Sequence, residues 1–298
     1  MSEAIPKAGW RLKLAGGALA LSVIAVLWFI AAALGTKMGL WSWQFGLGTM
    51  TIGWGPKIAF VATGLAVVAL VLGFTKAPRT KPVILSLAAL LIALMVLFRL
   101  IGFGAQAASL PPIHDVQTDW SEPVRFSEAL LAQRKSADAM NPVEDEPVIP
   151  EAADERWPGT GGRLVSEVQE EAEHERTVDG ETVPPAYDRP IEPLYFDQPV
   201  SQVAELAVTL AEKRGWDIFS RPQTDGETEQ TVLEATATTG WFGFKDDIAV
   251  RIRDMDGTTR VDMRSISRVG LSDLGANAKR VSDFLTELED RGDGRLEP

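Results

Sequence analysis

Two adjacent carboxylates, Asp246 and Asp247, have the composition of a general acid–base pair and end the aromatic run Gly240-Trp-Phe-Gly-Phe-Lys-Asp-Asp247. Such chemistry needs both groups at one substrate. Neighbouring strand residues point to opposite faces, so these two share a site only if the backbone bulges between them. His114-Asp115 has the residue types of a histidine–aspartate metal site. His114 and His174 are the only histidines, however, and no cysteine exists, which excludes multi-histidine centres, cysteine zinc sites, thiolate nucleophiles and disulfides. No glycine-rich dinucleotide motif, phosphate loop, serine nucleophile elbow or EF-hand loop occurs. The densest polar grouping spans residues 264–277, where Ser265, Ser267, Arg268, Ser272, Asp273 and Asn277 lie where a strand runs into a helix start. A helix N-terminus attracts anions, and Arg268 adds a charged donor. Two plainer roles stand beside that one: Ser272 or Asp273 as helix cap, and Arg268 pairing with Asp273 to lock the turn. The aromatics Trp241, Phe242 and Phe244 likewise have two readings, a ligand gate or lipid wedge next to Lys245, or a cap over one end of a sheet core.

The elements that must hold these residues follow from periodicity. Residues 231–238, 247–254 and 259–266 alternate apolar with polar and read as half-buried strands, with a further strand at 216–220 and a short one at 113–118. Asp256-Gly257 signals a two-residue hairpin, which places Arg251 opposite Asp262, Val250 opposite Met263 and Ile252 opposite Val261. Helices are expected over 124–137, from a cap at Asp197 through Val200, Val203, Ala207 and Leu210 to Gly215, and after residue 270 on the stripe Leu274, Ala278, Val281, Leu285 and Leu288. The fold class is α+β, an antiparallel sheet with helices on one face. Residues 138–190 are acidic, proline-rich and poor in large apolar side chains, which predicts a flexible solvated segment carrying a transient helix near 163–176.

Charge divides the chain. Residues 1–110 hold nine Lys/Arg against one acid, Glu3, and the remaining residues hold 20 against 40, so the formal −12 combines +8 with −20. The acidic portion excludes a nucleic-acid binder. The basic portion reads as a membrane anchor with spans at about 12–34, 58–74 and 83–103. The first apolar stretch exceeds the ~7–15 residues of a cleavable signal's core. Lys7, Arg11 and Lys13 before the first span, and Lys76, Arg79 and Lys81 before the third, predict a cytoplasmic N-terminus. The loop 35–57, with Trp41, Trp43, Phe45 and Trp54, is expected along the outer interface. A multi-pass protein of the bacterial inner membrane, with residues 111–298 in the periplasm, follows. Residues 104–112 would be a tether reaching at most about 35 Å. Arg99 lies close enough to the third span's exit to snorkel, and Gly16, Gly17 and Gly64 leave open a helical bundle with a role of its own.

The stretches Ile113-His-Asp-Val-Gln-Thr-Asp119, Ala186-Tyr-Asp-Arg-Pro-Ile-Glu-Pro-Leu194, Gly215-Trp216, Thr239-Gly-Trp-Phe-Gly-Phe-Lys-Asp-Asp247 and residues 264–277 together resemble DUF1499, a bacterial and chloroplast family of unassigned function, over 113–290. The resemblance implies no activity, cofactor or catalytic residue. The expanded acidic segment departs from the family pattern.

Two functions from different classes fit these features. One is a membrane-anchored, non-enzymatic envelope module that binds a lipid, an anionic small molecule or a partner protein at the extracytoplasmic surface, with Trp241, Phe242, Phe244, Lys245, Arg268, Ser272, Asp273 and Asn277 around one concavity. It calls for no cofactor or metal. The other is a hydrolase or transferase built on Asp246, Asp247 and Asp273. An apolar cavity favours the first, and a cleft joining three acids of perturbed pKa favours the second.

Overall fold

The computed structural model describes residues 9–178, 181–187, 189–225 and 228–292. Lys7 and Asp188, used above, lie outside them. The chain divides into two compact units, Met1–Gln106 with Gly240–Gly243, and Ala107–Thr239 with Phe244–Pro298.

The first unit is built from α1 (Gly9–Lys37), α2 (Gly55–Thr75) and α3 (Thr80–Ser109), each long and apolar enough to cross a membrane. They extend beyond the expected spans at both ends. Small residues face inward: Ala15, Ala18, Ser22 and Ala25 on α1, Ala59, Ala62, Ala66 and Ala69 on α2, Ser86, Ala89 and Ala93 on α3. Leu27, Phe60, Val71, Leu91 and Phe98 point outward. Small side chains let helix backbones approach closely, the packing used where surrounding lipid removes any hydrophobic drive between helices. The buried Arg11 donates to the carbonyls of Lys76 and, at 3.1 Å, Ala77, satisfying carbonyls beyond the last turn of α2. The expected interfacial loop is different. Residues Gln44–Trp54 form π-helical turns that run directly into α2, so only 38–43 connect it to α1. Trp41 folds back instead of lying outward, its indole N–H donating to the Ala32 carbonyl at 3.2 Å. Gly46 has no room for a β-carbon, which would sit 2.8 Å from that same carbonyl.

The second unit centres on an antiparallel sheet. β1 (Asp115–Gln117) and β4 (Leu194–Phe196) pair with different ends of β8 (Thr258–Ser267), followed by β7 (Lys245–Met255), β6 (Gln230–Thr238) and β5 (Asp217–Ser220). The separate hairpin of β2 (Arg176–Val178) and β3 (Glu181–Val183) stands apart. The β7–β8 turn has Asp256 at φ 56° and Gly257 at φ 94°, and Arg251 opposes Asp262 as expected. On one face, α6 (Val200–Lys213) and α7 (Ala276–Arg291) bury Val203, Ala207, Leu210, Val281, Phe284 and Leu288 against Leu233, Ile248, Val250, Ile252, Val261 and Met263. Asp197 caps nothing there; Pro199 holds the cap position of α6, without a side-chain bond.

The opposite face is charged, and it is buried. Segment 119–145, with the short α4 (Glu128–Ser136), lays Val124, Phe126 and Leu130 on Ala249 and Ile266. Beneath it Arg264 donates to Asp115 at 3.0 Å, and Asp262 accepts from Arg251 at 3.0 Å and from Arg260 at 2.8 Å. Arg264, Asp115 and Asp262 have no exposed surface.

Residues 138–190 also differ from expectation. A 3-10 turn (Glu151–Glu155) and α5 (Val165–Glu173) set Ile149, Ala153, Val165, Val168, Ala172 and Tyr187 into the main core. The apolar residues are few, but α5 places them on one stripe while Glu167, Glu170 and Glu171 face solvent. A flexible solvated segment is therefore the wrong description of 148–173.

Candidate functional site

The residues singled out for chemistry divide between the two sheet faces. β7 runs without a bulge through Asp246 and Asp247, which pair with Ser267 and Ile266 of β8. Their side chains consequently point apart.

On the face covered by α4, Asp247 is fully buried. Its Oδ1 accepts from the Thr236 hydroxyl at 2.7 Å and from Arg268 Nη2 at 2.7 Å. Its Oδ2 accepts from Arg268 Nε at 2.8 Å and from Arg134 of α4. Burial opposes this charge, but the bonds from Arg268 and Thr236 and the two guanidinium charges outweigh it and hold the carboxyl below its ordinary value. A carboxylate so stabilised is a poor proton acceptor. Arg268 therefore pairs with Asp247, not with Asp273. Above this group, Asn141 donates to the carbonyls of Ser267 at 3.0 Å and Gly270 at 2.9 Å, tying the covering segment to the end of β8.

On the helix face, Asp246 accepts from Arg280 of α7 at 2.6 Å. Beside it, Asn277 accepts from Ser265 at 2.7 Å and donates to Ser267 and to the His114 carbonyl, both at 2.9 Å. Asp273 precedes α7 and accepts the main-chain N–H groups of Gly275 at 2.9 Å and Asn277 at 2.6 Å. This is a helix cap, with Gly275 in the left-handed conformation at φ 77°. Desolvation pushes Asp273 up to about 6, reinforced by the charge of Asp246 and opposed by the Asn277 N–H. Ser272 accepts from Leu274 N–H and donates to the Pro111 carbonyl, both at 3.2 Å. His114, lowered chiefly by burial, has Nδ1 3.4 Å from the Leu271 carbonyl.

Asp246 and Asp273 thus influence each other electrostatically, whereas Asp247 lies across the sheet from both. Asn277 and Asp273 are bonded neighbours. The Arg268 N–H donates to the Lys245 carbonyl at 3.0 Å, but its guanidinium leaves on the opposite face from Asn277. The aromatic connection has a closed base, with Thr239 N–H donating to the Phe244 carbonyl at 2.8 Å and Phe244 N–H to the Thr239 hydroxyl at 2.9 Å. Its tip, Gly240–Gly243, belongs to the first unit, where Lys37 Nζ donates to the Gly240 carbonyl at 2.9 Å. Trp241 is 64% exposed.

Sequence reasoning passed over a second network around α5. Gln169 accepts from Trp120 Nε1 at 2.9 Å and donates to Glu173 at 2.7 Å. Burial pushes the Glu173 carboxyl up, against hydrogen bonds from Gln169 and the Ile191 N–H. The arginines 251, 253, 260 and 264 share one face, as their alternation along two paired strands predicts. Among the described residues, no three His, Asp or Glu side chains stand together as metal ligands.

Searches of curated proteins and of solved structures return no match. The family model described as a protein of unknown function, DUF1499, matches residues 115–288, which span the sheet and every helix packed on it. More than half of the chain is covered, and the chain belongs to the DUF1499 family.

Proposed function

We propose that this protein is a membrane-anchored, non-enzymatic module that binds lipid at the extracytoplasmic surface of the bacterial inner membrane. The reading is carried by the aromatic tip of the β6–β7 connection, where Trp241 stands 64% exposed between Gly240 and Gly243. An exposed indole on a short glycine-flanked tip favours the headgroup layer, where its apolar ring and N–H are both accommodated. The polar candidates support the reading from the other side. Asp246, Asp247, Asp273, Arg268 and Asn277 are each engaged in bonds that hold the fold. A hydrolase or transferase built on the three acids finds no such support, because Asp247 does not share their face. Orientation rests on the basic residues Arg11 and Lys13 in the first turns of α1, Lys76 and Arg79 just before α3, and Lys81 in its first turn, which favour the cytoplasmic side. A free anionic ligand or an envelope protein remains an outcome of the test.

The test is lipid analysis of the full chain, extracted in mild detergent from a membrane of phosphatidylethanolamine and phosphatidylglycerol. The wild type should retain lipid that a Trp241→Ala, Phe242→Ala double variant loses, with both proteins melting alike. Equal retention removes the aromatic tip from the function. A reporter active only in the cytoplasm, fused after Pro298, should stay silent; activity there reverses the orientation.

A further inference from the structure

The first unit contains a crevice of about 630 Å³, within the size range of ligand pockets. Its walls are Phe29 and Ile30 of α1, Met95 and Arg99 of α3, and Trp241 and Phe242 of the aromatic tip. The site is apolar except for Arg99 and Thr51, and the Thr51 hydroxyl is already donated to the Gly46 carbonyl at 2.9 Å.

Arg99 is out of keeping with its position. The inward stripe of α3 runs Pro82, Ser86, Ala89, Ala93, Val96 and continues at the same spacing to Leu100; Arg99 stands exposed beside it, at the edge of the crevice. It places a guanidinium in the otherwise apolar stretch from Val96 to Phe103. Among the described residues, that guanidinium has no hydrogen bond or ion pair. An unpaired cation beside hydrocarbon is costly and needs an anion or water. Its depth decides which anion is at hand. From Thr80 to Arg99, at ~1.5 Å per residue, the helix rises ~28 Å, close to the ~30 Å thickness of a bilayer's hydrocarbon core. With Thr80 at one boundary, beside Arg79 and Lys81, Arg99 reaches the level of the opposite headgroup phosphates.

We infer that this crevice binds one phospholipid from the leaflet at the C-terminal end of α3, its phosphate on Arg99 and an acyl chain between α1 and α3 along Phe29, Ile30 and Met95. The guanidinium fork matches two phosphate oxygens, which a lysine ammonium does not. Trp241 and Phe242 line the same crevice. The inference rests on the lipid-binding reading above and gives it a site and a ligand class.

Native mass spectrometry of the full chain, exchanged in detergent against 1-palmitoyl-2-oleoyl-phosphatidylglycerol, tests it. The wild type should hold one phospholipid, and Arg99→Gln should lower its retention about tenfold or more, as removal of a charge-assisted contact does. Arg99→Lys should fall between them. Arg79→Gln, a cation outside the crevice, should match the wild type. Met95→Trp, which fills the crevice while leaving the charge, should also displace the lipid, and melting curves confirm that each variant is folded. Retention by Arg99→Gln equal to the wild type overturns the phosphate site, as does equal retention of diacylglycerol, which lacks the phosphate. If Arg99→Gln keeps the lipid while the Trp241, Phe242 double variant loses it, this site fails and the wider reading stands. A wild type that retains no lipid defeats both.

Discussion

Replacing Asp247 with Asn separates a structural lock from a reactive group. Asp247 is fully buried, and the guanidiniums that converge on it are nearly so, Arg134 at 3% and Arg268 at 6% exposure. Asparagine keeps the shape and one acceptor oxygen. Its amide, however, points N–H groups at guanidinium N–H groups, and two buried cations face each other with no anion between them. Breaking a buried pair from one side costs about 3–5 kcal/mol. At about 2–4 °C per kcal/mol for a domain of this size, the melting temperature should fall by about 6–20 °C. Because the folded pKa lies below the ordinary 3.8, the stabilisation is full near neutral pH and lost only as acid protonates the carboxyl. Thermal melting of the full chain in detergent reads the change through Trp120, Trp157 and Trp216 of the second unit. Asp246→Asn should cost less, since its partner Arg280 keeps 12% of its side chain exposed. An Asp247→Asn protein that melts within 3 °C of the wild type but loses a ligand or an activity would refute the lock and restore Asp247 as a functional residue.

Three other outcomes follow from the packing. Asp273 holds its proton more tightly in the folded chain, with its pKa raised from 3.8 to about 6, so stability should decline as pH rises through that window. Asp273→Asn should remove this slope, at the loss of one of the two N–H bonds that the carboxyl accepts from Gly275 and Asn277; a pH-independent difference in melting temperature would contradict it. Gly46→Ala should cost about 1–3 kcal/mol by driving a methyl against the α1 backbone, whereas Gly48→Ala, with nothing within 4 Å, should melt like the wild type; equal effects would show that the tight approach is absent. Limited proteolysis should spare 148–173 in the wild type and cut there in Val168→Asp, which puts a charge at a position 3% exposed. Early cutting of the wild type in that stretch would restore the solvated-segment reading.

Local rules account for what the sequence determined. Three apolar stretches dictate helices of membrane-crossing length, because backbone groups in lipid must bond within their own segment. Alternation and the Asp256-Gly257 turn set the β7–β8 register, since one slip would turn every side chain to the wrong face. The same register, continued outward, sets Arg268 opposite Lys245 and on the face of Asp247, so this pairing was legible and the Arg268–Asp273 alternative was not needed. Only the tertiary structure decided what covers the charged face. Alternation shows that Arg251, Asp262 and Arg264 share a side, but the same pattern serves a solvated face and a buried one. Burial came from segment 119–145, whose carbonyls and acids complete the arginines' bonds. The tertiary structure likewise gave Val165, Val168 and Ala172 a core to meet. Three small apolar residues within an acidic stretch cannot offset ordering alone, and they do so once a distant sheet and two helices supply the surface they bury against.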